Sequence, residues 1–304
     1  MEIAAITALF SPVGYQSLAY NYQRFAEAWK TTGVPLYTIE CSFPWQTPIL
    51  KNDQFAMRVE STTPLFIKEC LLNKMAASLP RDVQYVVVLD CDLIWESYDW
   101  VQSIPRVMQH YQAIQPFREM IDLTKDGQHN KTIPSWCYAR EETGYGFCQV
   151  FKREFFDLGG YFDMMLLGAG DTLIWQAAQG GFNGMIGDVI RQKNQTVYKR
   201  ALRWMDRMVP YIDGQVGYLD ETAYHMWHGD RSNRQYRDRW EIFAQMDPDT
   251  MLVKNDHGIW NLHEGEDAFQ DQVLQYFRDR REEPPSKMDR FLRDAETGSL
   301  QIPA

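Results

Sequence analysis

The sequence predicts an α/β fold in which a parallel sheet is sandwiched by helices, and three observations carry that expectation. Tyr85-Val-Val-Val-Leu89 is a continuous, largely β-branched run, the pattern of a strand covered on both faces. From Ile3 to Leu89 the chain alternates strand, helix, strand, helix, strand, which implies right-handed parallel crossovers. The strongest strand then runs straight into Asp90-Cys91-Asp92, at the carboxyl edge where ligands of such sheets gather.

Taken in order, Ile3 to Phe10 is an apolar run closed by Ser11-Pro12-Val13-Gly14 and reads as a buried first strand. A helix follows with Leu18, Tyr22, Phe25 and Trp29 on one face, stopped by Gly33 with Pro35 behind it. Leu36 to Cys41 is a second strand. Thr63 before Pro64 reads as the cap and first turn of an amphipathic helix that repeats Ile67, Leu71, Met75 and Leu79. The strand ends near Phe10-Ser11, Cys41 and Asp90-Cys91-Asp92 are expected to line one crevice. Ala113 to Phe117 is a further strand, and Asp122 to Ser135, rich in Lys, Asp, Asn and Gly, reads as a mobile polar loop. Phe147 to Phe151 predicts a short strand, and Arg153 to Leu158 a short helix before Gly159-Gly160. Asp171 to Gln179 predicts a helix before Gly180-Gly181, Tyr198 to Met208 another, and Gln215 to Leu219 a strand. Arg234 to Gln245 and Ala268 to Arg281 predict surface helices. Residues 1–240 are expected to form one domain with halves of about 1–120 and 121–240. Residues 241–304 form a helical C-terminal extension packed on it, whose tail from Pro284 is the segment least expected to be ordered.

The composition narrows the function. With 45% hydrophobic and 24% charged residues over 304 positions, the chain is a soluble globular protein with a sizeable core. Its net charge of −10 disfavours a protein whose main task is gripping a nucleic-acid backbone, although a local patch such as Lys199, Arg200, Arg203 and Arg207 can contact a backbone or be an ordinary solvated helix face. No run approaches the ~18 apolar residues of a membrane span. Met1 leads directly into the first strand without the pattern of a secretory leader. Cys41, Cys70, Cys91, Cys137 and Cys148 are odd in number and lack a C-x-x-C pair, which favours a reducing, cytoplasmic setting and excludes a familiar zinc or redox framework.

Three features carry chemistry. Asp90 and Asp92, one residue apart at the end of a buried strand, can both turn toward one hard cation such as Mg²⁺ or Mn²⁺, which would in turn bind a diphosphate. On a solvated turn the same triplet would merely cap the strand end. His225 and His228, with Gly229 behind them, can add a nitrogen ligand, or they can be two buried structural histidines. Arg231, Arg234, Arg237 and Arg239 follow, any of which can face solvent or meet a diphosphate. Third, Gly159-Gly160 and Gly168-Ala169-Gly170 allow close backbone approach to a ligand and lead to Asp171. Asp171 reads either as a plain helix cap or as a carboxylate that takes a proton from a hydroxyl. Gln115 and Arg118, after the Ala113 strand, are within reach of the same crevice. Trp95, Trp136, Tyr138, Tyr145, Phe147 and Trp227 offer flat faces for a sugar or base, or pack the core.

In this order and spacing the motifs resemble the GT-A-type, nucleotide-sugar-dependent glycosyltransferases, over residues 1 to 240. A narrower resemblance, to viral and microbial glycosyltransferases, rests on Lys68-Glu69-Cys70-Leu71-Leu72-Asn73 ahead of the D-x-D strand. The resemblance implies a GT-A-like, Rossmann-type sheet with a donor half at 1–120 and an acceptor half at 121–240. It implies a divalent metal, Mn²⁺ or Mg²⁺, held by Asp92 and His228 with Asp90 and His225, with Mn²⁺ favoured by mixed carboxylate and imidazole ligation. A nucleotide sugar, UDP-linked, would contact Phe10, Ser11, Lys68, Asn73 and Asp90. The acceptor would meet Gln115, Gly168, Gly170 and Trp227, and Asp171 would be the catalytic base. Where the commonest inverting pattern has Glu-Asp, this chain has Gly170-Asp171, which leaves inversion or retention open.

The activity expected is hexosyl or pentosyl transfer to a hydroxyl of a glycan, small molecule, protein or, for a viral protein in a host cytoplasm, a modified DNA base. A nucleotidyltransferase is the weaker reading, because Ser11-Pro-Val-Gly-Tyr-Gln16 after the first strand has no Lys or Arg for a triphosphate. A non-catalytic carbohydrate-binding protein is the third, and the intact acidic pair argues against it.

Overall fold

The computed structural model describes residues 2–51, 54–140, 143–235 and 238–282. Arg237 and the tail from Pro284, both named above, lie outside the described residues. In chain order the elements are β1 (Ile3–Phe10), α1 (Gln16–Trp29), β2 (Leu36–Ser42), β3 (Ala56–Glu60), α2 (Lys68–Ser78), β4 (Tyr85–Leu89), β5 (Leu93–Trp95), α3 (Trp100–Val107), β6 (Ala113–Gln115), β7 (Glu119–Leu123), β8 (His129–Pro134), α4 (Trp136–Ala139), β9 (Cys148–Lys152), α5 (Arg153–Asp157), α6 (Thr172–Ala178), α7 (Met185–Lys193), α8 (Gln195–Ile212), β10 (Val216–Tyr218), β11 (Thr222–His225), α9 (Arg239–Gln245), β12 (Leu252–Lys254), β13 (Trp260–Leu262) and α10 (Asp267–Asp279).

The expected α/β sandwich is present. The main sheet has seven strands in the order β10-β6-β9-β4-β1-β2-β3, and every neighbouring pair is parallel except those made by β9, which runs against both β4 and β6. Its central strands serve two cores at once. Ala4, Ile6, Val86 and Val88 face a layer that includes α2, α5, α6 and α8, while Ile3, Ala5, Leu9, Val87 and Leu89 face a layer that includes α1 and α3. Two-sided burial is why β1 and β4 are apolar at nearly every position rather than at alternate ones, and the exception, Thr7, donates its hydroxyl to the Leu89 carbonyl at 2.8 Å. Phe243, Leu252, Ile259, Phe269 and Val273 pack into the first of these cores. A second sheet, β5-β11-β7-β8, begins where β4 ends.

Four local expectations are corrected. The polar stretch 122–135 is a hairpin, with β7 and β8 joined at Thr124–Gln128 by a turn closed by Gly127 at φ +77°. It read as a loop because β8 is an edge strand whose residues His129 to Thr132 are exposed, while Met120 and Ile133 are buried. Thr63 does not cap α2, since its hydroxyl accepts from the Leu262 N–H at 3.2 Å and the helix starts at Lys68. The helix expected from Arg234 starts at Arg239, because Arg231–Arg234 form a single 3-10 turn that Gln235 ends at φ +47°. Phe147, at φ +69°, cannot belong to a strand, so β9 begins one residue later.

Candidate metal centre

Strand register assembles the site. β11 lies between β5 and β7, with His225 opposite Leu93 on one side and Asp122 on the other. His225 is therefore flanked by Asp122 and by Asp92, the residue before β5. The Met226 N–H donates to the Asp92 carbonyl at 2.8 Å and locks that edge. Asp122 Oδ1 stands 2.7 Å from His225 Nδ1 and also holds the Asn130 amide at 3.1 Å through Oδ2. With Nδ1 engaged, Nε2 is the nitrogen presented inward. It lies 3.6 Å from Asp92 Oδ2 and 3.1 Å from His228 Nε2, and His228 Nε2 is 3.1 Å from the same Asp92 oxygen.

Among the described residues these three form the cluster whose ligand atoms converge, all lying within 4.8 Å of one another. Ligands about 2.1 Å from a hard divalent ion in octahedral geometry stand roughly 3 Å apart, so the observed separations fit one ion. The second Asp92 oxygen is buried with no hydrogen-bond partner, a condition that a cation relieves. Burial opposes charge on Asp92, but the imidazoles of His225 and His228 outweigh it and hold its carboxyl well below the usual range. For His225 burial works against the proton, yet Asp92 and the bond to Asp122 lift it to about 9. His228 is pushed down, by burial first and then by the Arg234 guanidinium, whose Nη2 approaches His228 Nε2 to 2.7 Å.

A second cluster sits on α2 and the Gly168–Asp171 turn. Lys68 Nζ is 3.0 Å from Asp90 Oδ1 and 3.8 Å from Asp171 Oδ2. Burial would strip the Lys68 proton, but Asp90 and Asp171 hold it above its ordinary value. Burial raises Asp90, with Lys68 opposing. Asp171 occupies the cap position of α6, yet its side chain makes no cap bond and reaches Lys68 instead. Gly146 makes room for it, because a Cβ there would fall 2.1 Å from Asp171 Oδ2. Beneath this turn Glu69 is buried with Oε1 unpartnered, and burial raises it to about 7. A Cβ on Gly170 would strike it at 2.5 Å.

Both clusters open on one cleft of about 620 Å³ at the carboxyl edge of β1 and β4. Phe10, Ser11, Lys68, Asp90, Asp92, Gly168, Asp171, His225 and His228 are in its wall. Cys41 at the end of β2, expected there, is not. Nor are Trp95, Arg118 and Tyr138, nor the four residues that follow. Asn73 is bonded through both amide atoms to the Tyr161 backbone, at 2.8 Å each. Gln115 is fully buried, bridging the Gly144 carbonyl and the Cys137 N–H at 2.8 and 3.0 Å. Gly170 serves to admit Glu69. Trp227 bonds Asp230 at 3.2 Å and lies under the Lys125 ammonium. Sequence reasoning missed Asp122 and Glu69. Asp122 occupies the buried phase of a period-two strand, a readable signal, whereas Glu69 carries none beyond an acid on an apolar helix face.

No protein family matches the chain in sequence, and no curated protein resembles it. Solved structures similar to it in fold include nucleotide-diphospho-sugar transferases and nucleotidyltransferases. One is a Drosophila β-1,4-galactosyltransferase 7 variant in complex with manganese, UDP-Gal and xylobiose, at 10% identity, TM-score 0.43, covering 88% of this chain and 98% of that one. A protein of Desulfovibrio desulfuricans assigned as a nucleotide-diphospho-sugar transferase gives 14% identity, TM-score 0.33, and coverage of 90% and 99%. The 4-diphosphocytidyl-2C-methyl-D-erythritol synthase of Anaerococcus prevotii gives 14%, 0.36, and 72% and 89%. At such scores the likeness is one of layout, and no activity follows from it.

Proposed function

We propose that this protein is a divalent-metal-dependent glycosyltransferase that moves a sugar from a nucleotide-diphosphate-sugar, UDP-linked, to a hydroxyl acceptor. The observation that carries the reading is the convergence of Asp92, His225 and His228 in the wall of a cleft at the carboxyl edge of the central strands. Mn²⁺ bound there would act as a Lewis acid on the departing nucleotide diphosphate. Phe10 and Ser11 at the end of β1 hold base and ribose. Arg234 supplies a guanidinium to the diphosphate at the metal end. At the other end Asp171, free of capping duty, takes the acceptor proton, and Lys68 fixes its direction together with that of Asp90.

The test is nucleotide release from a panel of nucleotide sugars with Mn²⁺, Mg²⁺ or EDTA and no acceptor. Slow, metal-dependent hydrolysis of one donor is the expected result and names the sugar. No hydrolysis, joined with no metal-dependent nucleotide binding by calorimetry, overturns the reading. Sugar binding indifferent to EDTA and nucleotide would then mark a carbohydrate-binding protein.

A further inference from the structure

We propose that Glu282, on the turn that leaves α10, is a positioning residue for the metal centre, holding His228 as the Nδ1–H tautomer so that its Nε2 lone pair faces Asp92 and His225. The inference rests on the metal-binding reading above and concerns how a ligand is oriented, not which atoms ligate.

The tautomer follows from the partners. Arg234 can only donate, and its Nη2 lies 2.7 Å from His228 Nε2 against 3.4 Å from Nδ1. Nε2 is therefore an acceptor and the ring proton is on Nδ1. Facing that atom at 3.3 Å is Glu282 Oε1. The same pattern holds on the other ring, where Asp122 stands behind His225 Nδ1 and Nε2 looks inward. Each imidazole thus has a carboxylate behind its Nδ1 and turns its Nε2 toward Asp92, the arrangement by which outer carboxylates orient metal-bound histidines.

The turn that carries Glu282 is held in place for this. Tyr15 donates its hydroxyl to the Phe277 and Arg278 carbonyls at 2.9 Å and accepts the Arg281 N–H at 3.1 Å. Ser17 donates to the Glu282 carbonyl. Arg280 fixes the carboxylate itself, with Nε 2.7 Å and Nη2 2.5 Å from Oε1. Gly229 completes the fit. It has φ +104°, and a Cβ there would stand 3.0 Å from the Arg280 carbonyl and from Glu282 Cγ. The glycine after His228 is the gap through which the turn comes close enough to reach the ring.

The experiment is Mn²⁺ binding to the full chain by calorimetry, without nucleotide, alongside ¹⁵N NMR of labelled histidines in the metal-free protein. Glu282→Ala is expected to weaken Mn²⁺ about 10- to 100-fold and to move His228 away from the Nδ1–H form. Glu282→Gln keeps an acceptor oxygen and should bind within about threefold of wild type, with the tautomer retained. Gly229→Ala keeps the carboxylate but displaces the turn, and should weaken Mn²⁺ roughly tenfold. Wild-type affinity in Glu282→Ala overturns the proposal, as does an equal loss in the Ala and Gln variants, which would make charge and not orientation the cause. A wild-type chain that binds no Mn²⁺ sinks the metal reading itself, a separate and recognisable failure. Should Glu282→Ala melt too low to assay, the Gln and Gly229 variants and the wild-type tautomer decide the matter.

Discussion

The two ends of the cleft treat the two aspartates of one triplet differently. At the lysine end, Asp90 is already neutralised by the chain, 3.0 Å from Lys68 and near Asp171 across the same ammonium. At the imidazole end, Asp92 faces two ring nitrogens and leaves one buried oxygen without a partner. One end is closed electrostatically and the other is unfinished. A repeated acidic residue is therefore no guarantee of a shared duty, since what decides is which element packs against each copy. Asp90 meets a helix that carries a lysine, and Asp92 meets a strand that carries a histidine.

Three variants break or sharpen this contrast. Asp92→Ala should abolish Mn²⁺ binding, a loss beyond about 100-fold given that a direct ligand outranks an outer partner, with the circular dichroism spectrum unchanged. Retained affinity would show that the convergent nitrogens serve structure alone. Lys68→Met should leave Asp90 and Asp171 facing each other without their cation, at a cost of about 2 kcal/mol. That is a drop in Tm of roughly 3 °C for a chain of this size, and Mn²⁺ affinity should stay within about threefold of wild type. A collapse of metal binding would mean the ends act as one unit. The smallest effect concerns Glu69. Its folded pKa is raised to about 7 by burial, so the folded state holds the proton more tightly than the unfolded one. Its stabilising contribution is complete below the unfolded value and is lost as pH rises through about 7. Glu69→Gln, which cannot ionise, should therefore gain a few degrees on wild type in Tm between about pH 5 and pH 8, and a constant difference across that range would refute the assignment.

How much of this was legible depended on whether a residue's role is local. Val86 to Leu89 could be read as a central strand because two-sided burial writes itself into every position. That Asp92, His225 and His228 converge was legible because strand ends and paired histidines are short patterns, but Asp90, expected with them, lies outside the cluster. The hairpin at 119–134 was not, since an edge strand looks polar to any periodicity test. Asn73 belongs to the Lys68–Asn73 motif and Gln115 follows a strand that ends near the crevice, yet both are tied to backbone from distant segments, Tyr161 in one case and Cys137 and Gly144 in the other. Asp122 and Glu282 reach their histidines from 103 residues before and from the far end of the chain, and no local pattern reports such pairings.

The wide sequence separation of Asp92, His225 and Glu282 also has a kinetic meaning. Contacts that close loops this long form late, after local helices and neighbouring strands. On the ribosome the first three parallel strands can pair while the rest is still being made, but the candidate metal centre lacks its Glu282 contact until that turn has emerged. A nascent chain can therefore pair its first strands well before it can bring Asp92, His225 and His228 together.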